Sequence, residues 1–308
     1  MEGIVIKTTG KYYTVKMDDS EIVQCRLKGR FRIAGIRSTN PVVVGDMVEV
    51  EQESESWIIV KLKERRNHIV RRSVNLSKET HVIAANIDQA ILMITLESPI
   101  TMTSFIDRFL VAANAYAIDV FLIFNKIDLL TQDLRLKQKK LQEVYEKIGY
   151  RCFALSVIHD DLAVIKSLMK GKLNMISGHS GVGKSTLINK LQPNLNINTK
   201  DVSAAHKQGQ HTTTFSELHE LDFGSSIIDT PGIRGFGLVT LDANEIGSFF
   251  PEFAALKLAC KFHNCIHKNE PDCAVKGALN KGDIAQSRYK NYLNMIVKEE
   301  GRFRTNYH

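Results

Sequence analysis

Residues 178–185 of the chain read GHSGVGKS and restrict the possible fold more than any other segment. They match the phosphate-loop pattern G-x-x-x-x-G-K-[ST] at every fixed position, with an apolar strand predicted before them and a helix after them. In such a loop, the backbone N–H groups at the start of the helix attract phosphate. We predict that Lys184 reaches the outer phosphates and acts in catalysis, and that Ser185 binds Mg²⁺. The predicted phosphate contacts are Gly178, His179, Ser180, Gly181, Val182, Gly183, Lys184, Ser185 and Thr186.

The tetrapeptide N-K-I-D follows a predicted buried strand over residues 120–124 and indicates that the bound base is guanine. A carboxylate only accepts hydrogen bonds, so Asp128 can take two N–H donors from guanine that adenine does not offer. The asparagine of the motif would brace the loop, and the lysine stem would cover the base. After the next predicted strand, the sequence A-L-S-V resembles the loop whose backbone contacts the guanine oxygen. The predicted guanine contacts are Asn125, Lys126, Asp128, Ser156 and Val157.

Two further motifs are predicted to sense the third phosphate and to complete the magnesium site. The sequence D-T-P-G starts at Asp229, so Asp229 is placed to hold Mg²⁺ through water and the Gly232 N–H to bond the γ-phosphate. Upstream, residues 209–214 read GQHTTT, and one of these threonines is expected to complete the Mg²⁺ shell.

Ile233 stands where many P-loop GTPases carry a glutamine that orients the attacking water. Because isoleucine cannot orient water, we predict slow intrinsic turnover that a partner accelerates. His211 is the internal candidate for this role, since a neutral imidazole can orient water or accept a proton near neutral pH. An exposed histidine with a purely structural role is the alternative.

Three cysteines and a histidine lie close together near the C-terminus: Cys260, Cys265, His267 and Cys273. Three soft thiolates and one imidazole suit a closed tetrahedral zinc site, which has a structural role because no coordination position is open. Scattered buried cysteines are the alternative. The odd total of five cysteines favours a reducing compartment over disulfides. The remaining two, Cys25 and Cys152, are expected to be buried apolar residues.

The N-terminal region shows alternating, β-branched segments that predict a small barrel of short strands. An OB-type barrel, whose strand face and loops commonly bind nucleic acid, fits the pattern, and an SH3-like barrel would read the same. Two basic blocks lie here: residues 24–37 hold five basic residues and no acid, and residues 61–72 hold six with the single acid Glu64. Such blocks suit a polyanion or form a solvated basic face.

The guanine motif and its base loop precede the phosphate loop, whereas ordinary small GTPases begin with the phosphate loop. From residue 82 onward, predicted strands alternate with helices, which indicates a mostly parallel sheet covered on both faces. The predicted fold class is therefore multidomain α/β. Its parts are an OB-type β-barrel over 1–68, a circularly permuted P-loop GTPase domain over 69–238 and a helical zinc-binding domain over 239–308.

The rotated motif order, the N-terminal barrel and the C-terminal cysteine cluster together resemble the ribosome small-subunit-dependent, circularly permuted GTPases of the RsgA/YjeQ family. The resemblance covers nearly the whole chain and includes G-x-S-G-V-G-K-S, H-T-T-T and D-T-P-G-I-R. It implies a catalytic role for His211, a Mg²⁺ contact for Thr213, a structural zinc ion and a small-subunit RNA partner. The chain departs from the family at Gln210, where arginine is usual, and at Gly235, where an acid is common.

The resulting expectation is a GTPase that acts in late maturation of the small ribosomal subunit, grips ribosomal RNA with its outer domains and is released on hydrolysis. An RNA-binding module with a regulatory nucleotide site and incidental hydrolysis is the alternative. A P-loop kinase is a third hypothesis, which Asn125 and Asp128 oppose. No apolar run approaches the roughly 18 residues that span a bilayer, and no secretory signal is found. We therefore expect a cytoplasmic monomer that binds GTP and GDP and no membrane.

Overall fold

The computed structural model describes residues 1–28, 41–54, 56–72, 80–195, 216–229, 241–242 and 244–304, and every statement below concerns these residues. Its first five strands are β1 (Glu2–Thr8), β2 (Tyr13–Met17), β3 (Ile22–Leu27), β4 (Met47–Glu53) and β5 (Ser56–Leu62). They pair in the order β1-β2-β3-β5-β4, and β4 returns to β1, which closes a five-stranded barrel. Only the β3–β5 pairing is parallel. The predicted N-terminal β-barrel is confirmed.

Alternating side chains of these strands fill the barrel, as the period of two in the sequence requires. Val5, Val15, Cys25 and Ile59 are completely buried there. The expected burial of Cys25 is therefore confirmed, whereas Cys152 lies half-buried outside the barrel.

Strand β1 also pairs with a strand of the second domain, β12 (Glu217–Leu221), through Lys7 and Glu217. Ion pairs reinforce the junction: Lys7 Nζ lies 3.0 Å from Glu217 Oε2, and Lys16 pairs with Glu220. The barrel and the second domain thus share one eleven-stranded sheet. A separate ribbon of β6 (His68–Arg72) and β7 (Thr80–Ala85) follows the barrel in the chain.

The second sheet consists of β8 (Gln89–Ile94), β9 (Asp119–Phe124), β10 (Arg151–Ala154), β11 (Leu173–Ser177), β12 and β13 (Ser225–Asp229). Its order is β10-β9-β8-β11-β13-β12, and every pairing is parallel except that of β12 with β13. Strand β8 is buried along its entire length, as expected for a parallel strand covered on both faces.

Four helices cover this sheet: α1 (Thr103–Ala115), α2 (Gln132–Lys147), α3 (Ala163–Met169) and α4 (Lys184–Leu191). Helices α1 and α2 pack on one face, where Phe109 and Tyr145 are buried. Helices α3 and α4 pack on the other, through Ile165 and Leu187. The alternation of strands and helices predicted from the sequence is confirmed.

The C-terminal region adds α5 (Pro251–Ala254), α6 (Ala274–Lys281) and α7 (Gln286–Arg304), with 3₁₀ turns at Ile246–Phe249 and Lys257–Ala259. Its buried residues, such as Phe250 and Tyr292, belong to the same apolar cluster as α1. No helix among the described residues combines the length and the apolar character that crossing a bilayer requires.

A buried ion network joins α7 to α1. Arg288 Nη1 donates to Asp107 Oδ1 at 2.8 Å, and the same guanidinium forms two bonds to Glu252 at 2.8 and 2.9 Å. Tyr145 and Asn291 also donate to Asp107, at 2.9 and 2.6 Å. The buried carboxylate is thus fully hydrogen-bonded, which is the condition under which a buried charge is tolerated.

Replacing Arg288 by leucine is expected to lower the free energy of unfolding by about 3–5 kcal/mol, because Asp107 would remain buried without its cation. Urea denaturation of the full chain measures this loss. Lys261→Ala is the control. It removes the exposed ion pair between Lys261 and Asp272, whose 2.9 Å length is similar, and it should leave the free energy of unfolding almost unchanged. Equal losses in the two variants would contradict the prediction.

Candidate nucleotide site and metal centre

The loop between β11 and α4 has the conformation of a phosphate cradle. Gly178 and Gly183 have φ values of +145° and +104°, which side chains rarely adopt. A Cβ atom at Gly183 would lie 2.4 Å from Asn125 Nδ2, and one at Gly178 would lie 2.7 Å from the carbonyl oxygen of Met93. Glycine is therefore required at both positions by backbone conformation and by close packing.

Lys184 begins helix α4 and folds back over this loop. Its Nζ donates to the carbonyl oxygens of Gly178 and His179, at 2.8 Å each. The ammonium group thus lies on the loop itself, where a phosphate-binding lysine is needed.

Asn125 connects three of the predicted motifs. Its Nδ2 donates to the carbonyl oxygen of Val182 in the phosphate loop at 2.7 Å, and its Oδ1 accepts from the Val157 N–H in the base loop at 2.9 Å. Asn125 is only 5% exposed. The guanine motif, the base loop and the phosphate loop therefore meet at one edge of the sheet, as the sequence predicted.

The remaining residues of the guanine motif are partly or fully exposed. Lys126 adopts a left-handed conformation, with φ +64°, and its Nζ donates to the Ser98 carbonyl oxygen at 2.7 Å. Asp128 keeps 28% of its side chain exposed, and its Oδ2 lies 3.8 Å from His159 Nε2. The Asp128 carboxylate is therefore accessible as an acceptor.

In the base loop, the backbone amides predicted to meet guanine already have partners. The Ser156 N–H donates to Asp160 Oδ2 at 2.8 Å, and the Val157 N–H donates to Asn125. Within the described part of the chain, the Ile158 N–H has no acceptor. Ile158 is thus the base-loop amide left to donate to a ligand.

The connection from β8 to α1 and the first turn of α1 contact this site, which sequence reasoning missed. Besides the Ser98–Lys126 bond, Pro99 Cδ lies 3.6 Å from the position of a Cβ on Gly181. The Phe105 ring packs on His179 of the phosphate loop, with centroids 4.2 Å apart. No recognised motif marks this segment, so only the fold brings it to the phosphate loop.

Two predicted magnesium residues lie at the same edge of the sheet. Ser185 follows Lys184 in α4, and Asp229 ends β13, the parallel neighbour of β11. The predicted residues His211, Thr213 and Gly232 lie outside the described residues, as do Ile233 and the two family departures, Gln210 and Gly235.

The predicted zinc ligands come together in the C-terminal region. Their four donor atoms lie within 4.8 Å of one another: the Sγ atoms of Cys260, Cys265 and Cys273 and a ring nitrogen of His267. His267 Nδ1 lies 3.4–3.6 Å from the three sulfurs. Tetrahedral zinc, with bonds of about 2.0–2.3 Å, places its ligand atoms at such separations.

The chemistry of these donors also fits a cation. Burial raises the pKa of the Cys265 thiol to about 12, so a thiolate needs a positive partner here. Burial lowers the pKa of His267 below its usual value, which keeps the imidazole neutral and able to bind metal. The residues present therefore fit a structural Cys₃His zinc site.

Hydrogen bonds support the ligand loop from outside. The Tyr289 hydroxyl donates to the His267 carbonyl oxygen at 2.7 Å. The Glu270 carboxylate accepts from the N–H groups of Ile266, Lys268 and Asn269 at 2.7–2.9 Å. Such outer contacts fix ligand orientation before metal binds.

Residues 62–239 match the family model of the RsgA GTPase, and residues 2–58 match that of the RsgA N-terminal domain. The chain belongs to the RsgA GTPase family. As an RsgA family member it is a GTPase, and the prediction of this enzyme class is confirmed.

Full-length relatives agree with this assignment. A "Small ribosomal subunit biogenesis GTPase RsgA" from Flavobacterium johnsoniae is 52% identical over 99% of this chain and 95% of its own length. The protein of the same name from Bacteroides fragilis is 48% identical over the whole of both chains. The crystal structure of YjeQ from Thermotoga maritima is 32% identical, with a TM-score of 0.78 over 97% of this chain and 98% of its own. YloQ, a circularly permuted GTPase, is 31% identical, with a TM-score of 0.75 over 98% and 95%.

The RsgA assignment also explains the rotated motif order. Circular permutation changes where the chain begins and ends but leaves the order of the strands in the sheet unchanged. The guanine motif after β9 and the base loop after β10 therefore still lie beside the phosphate loop after β11. The predicted circular permutation is confirmed. The exact domain boundaries at 68 and 238 remain predictions.

Replacing Cys273 by serine in this member of the RsgA family is expected to abolish zinc binding and to lower the melting temperature, because a structural zinc site contributes folding energy. Atomic absorption on the purified full chain measures zinc, and circular dichroism measures melting. Cys152→Ser is the matched control, since Cys152 is a free, half-buried thiol outside the cluster. One zinc per chain retained in the Cys273 variant would contradict the assignment.

Proposed function

We propose that this protein hydrolyses GTP to GDP and phosphate during late maturation of the small ribosomal subunit. In this proposal its outer domains bind ribosomal RNA, and hydrolysis releases it from the subunit. The observation that carries the proposal is the pair of hydrogen bonds by which Asn125 joins the base loop to the phosphate loop. The relatives of this chain are named for small-subunit biogenesis, which supports the ribosomal role.

In the nucleotide site, we assign the phosphates to the loop 178–186, with Lys184 as the catalytic cation. Ser185, Thr213 and Asp229 would hold Mg²⁺, which supplies charge neutralisation between the outer phosphates when bound. Gly232 would contact the γ-phosphate, and Asp128 would accept the two guanine N–H donors. We add Ile158, whose unpaired N–H is available for the guanine oxygen alongside the predicted residues Ser156 and Val157.

The surface of the barrel supports an RNA partner. Tyr12, directly before β2, and Arg26 on β3 are exposed, and the Arg26 guanidinium lies 4.9 Å from the centre of the Tyr12 ring and donates to its hydroxyl at 2.7 Å. Exposed aromatic rings paired with arginine are stacking surfaces for unpaired bases. We propose a cytoplasmic location without membrane contact, because ribosomal subunits are assembled in the bacterial cytoplasm, and we keep the monomeric state as a prediction.

Single-turnover hydrolysis of GTP, with and without purified small subunits, tests the proposal. We expect slow hydrolysis alone and strong acceleration by subunits. Unchanged hydrolysis would favour the second candidate, an RNA-binding module whose nucleotide site only regulates affinity. Preferential use of ATP would instead favour a kinase.

His211→Ala is expected to reduce subunit-stimulated turnover by roughly 10²–10⁴-fold while GTP binding stays normal, because general acid–base catalysis contributes about that factor. Rapid-quench kinetics and nucleotide titration measure the two quantities. His219→Ala, at a half-buried histidine on β12 away from the nucleotide site and the metal cluster, is the control. Full stimulated turnover in the His211 variant would remove His211 from catalysis.

A further inference from the structure

Leu258 lies completely in solvent, at the centre of the 3₁₀ turn Lys257–Ala259. Its exposure is 99%, whereas the next most exposed large apolar residue in the described part of the chain, Ile158, reaches 66%. A single exposed leucine needs no explanation by itself. The residues around Leu258 indicate that it belongs to a binding surface.

The backbone around Leu258 is fixed on both sides. The Ala259 N–H donates to the Leu256 carbonyl oxygen at 3.0 Å, and the Cys260 N–H donates to that of Lys257 at 3.2 Å. Leu256 packs against the core, and Cys260 belongs to the metal-ligand set. Covering a side chain on such a rigid turn costs little ordering entropy, which favours a role in binding.

A second exposed apolar side chain lies close to Leu258 in the sequence. Phe262 lies two residues after Cys260, as Leu258 lies two residues before it, and Phe262 is 40% exposed. Lys261 Nζ lies 5.9 Å from the centre of the Phe262 ring. We call Leu258 and Phe262 the apolar projection.

The apolar projection stands in a basic region. Residues 257–281 contain five lysines and two acids. Both acids are already engaged: Glu270 accepts three backbone N–H groups, and Asp272 pairs with Lys261. Helix α6, which carries Lys276 and Lys281, contacts the turn that holds Leu258. Single-stranded RNA carries negatively charged phosphates and exposes the apolar faces of its unpaired bases. The lysines of this region complement the phosphates, and the two apolar side chains complement the bases.

We propose that the apolar projection packs against unpaired bases of ribosomal RNA in the small subunit, while the flanking lysines contact the phosphates. This inference rests on the proposed function, which supplies the subunit as partner, and adds the residues and the kind of RNA surface. Lysine contacts alone would bind any RNA, so the apolar projection would select sites where bases are unpaired.

The variant Leu258→Ser tests the proposal. Leu136→Ser is the control, because Leu136 is a 61% exposed leucine on α2, outside the apolar projection. We expect affinity for purified small subunits, measured with a non-hydrolysable GTP analogue, to fall roughly tenfold for Leu258→Ser and to stay unchanged for the control. Zinc content and intrinsic GTP hydrolysis should be normal in both. Equal subunit affinity of the two variants would overturn the proposal. If the unsubstituted protein did not bind subunits, the proposed function itself would fail, and this inference with it.

Photo-cross-linking separates RNA from protein partners. With the photoreactive substitution Leu258→p-benzoylphenylalanine, a cross-link to ribosomal RNA in the subunit complex is the expected result. A cross-link to a ribosomal protein alone would overturn the assignment to RNA.

Discussion

Asp128→Asn is expected to weaken GTP binding by a factor on the order of 10³ and to create affinity for xanthosine triphosphate. The Asp128 carboxylate is accessible in the site, and it accepts hydrogen bonds without donating any. An asparagine amide would direct its own N–H toward the guanine amino group, so two donors would face each other. Xanthine carries a carbonyl oxygen at that position, which the amide can satisfy.

Fluorescence titration with labelled GTP and xanthosine triphosphate measures this exchange of specificity. Asp133→Asn, which changes an exposed carboxylate on α2, provides the matched control and should leave both affinities unaltered. Weaker binding of GTP without gain of xanthosine triphosphate would mean that Asp128 supports the loop and does not read the base.

Gly183→Ala is expected to reduce nucleotide affinity by at least roughly 10²-fold, because small misplacements of binding groups cost about that much. The new Cβ would lie 2.4 Å from Asn125 Nδ2, the atom that donates to Val182. Asn125 would have to move, and the contact that joins the guanine motif to the phosphate loop would break.

Gly149→Ala separates this clash from backbone strain. Gly149 has φ +97°, close to the +104° of Gly183, but a Cβ there meets no atom within 4 Å. Both alanines therefore carry a strain of about 1–2 kcal/mol, and only Gly183→Ala disturbs Asn125. Calorimetric titration with GTP and urea unfolding measure the two effects. Equal affinities in the two variants would show that the Asn125 contact is dispensable.

The nucleotide and metal sites could be predicted because their chemistry is concentrated in short segments. The glycines and Lys184 of the phosphate loop are eight residues or fewer apart, and the thiolates of the zinc site are nearly as close. The donor set of Cys260, Cys265 and Cys273 identifies a soft-metal site before any fold is known.

Contacts between distant segments could not be predicted in this way. Asp107 and Arg288 are 181 residues apart, and neither residue belongs to a motif. The pairing of Ser156 N–H with Asp160, which leaves Ile158 as the available amide, depends on one side-chain rotamer in the base loop. The packing of Phe105 on His179 likewise depends on how α1 crosses the sheet.

The junction between β1 and β12 has a practical consequence for experiments on RNA binding. Its ladder has one residue pair, and two ion pairs with partly exposed side chains lie beside it. Dissolved salt screens exposed charges over about 10 Å at 0.1 M. Buffers of high ionic strength, which strip RNA from basic proteins, would therefore weaken these two ion pairs, whereas the apolar packing of Ile4 and Ile6 and the buried hydrogen bond from Asn86 to the Gly45 carbonyl oxygen would still hold the barrel on the GTPase sheet. A salt titration of subunit binding should therefore report the loss of RNA contacts and not the detachment of the barrel.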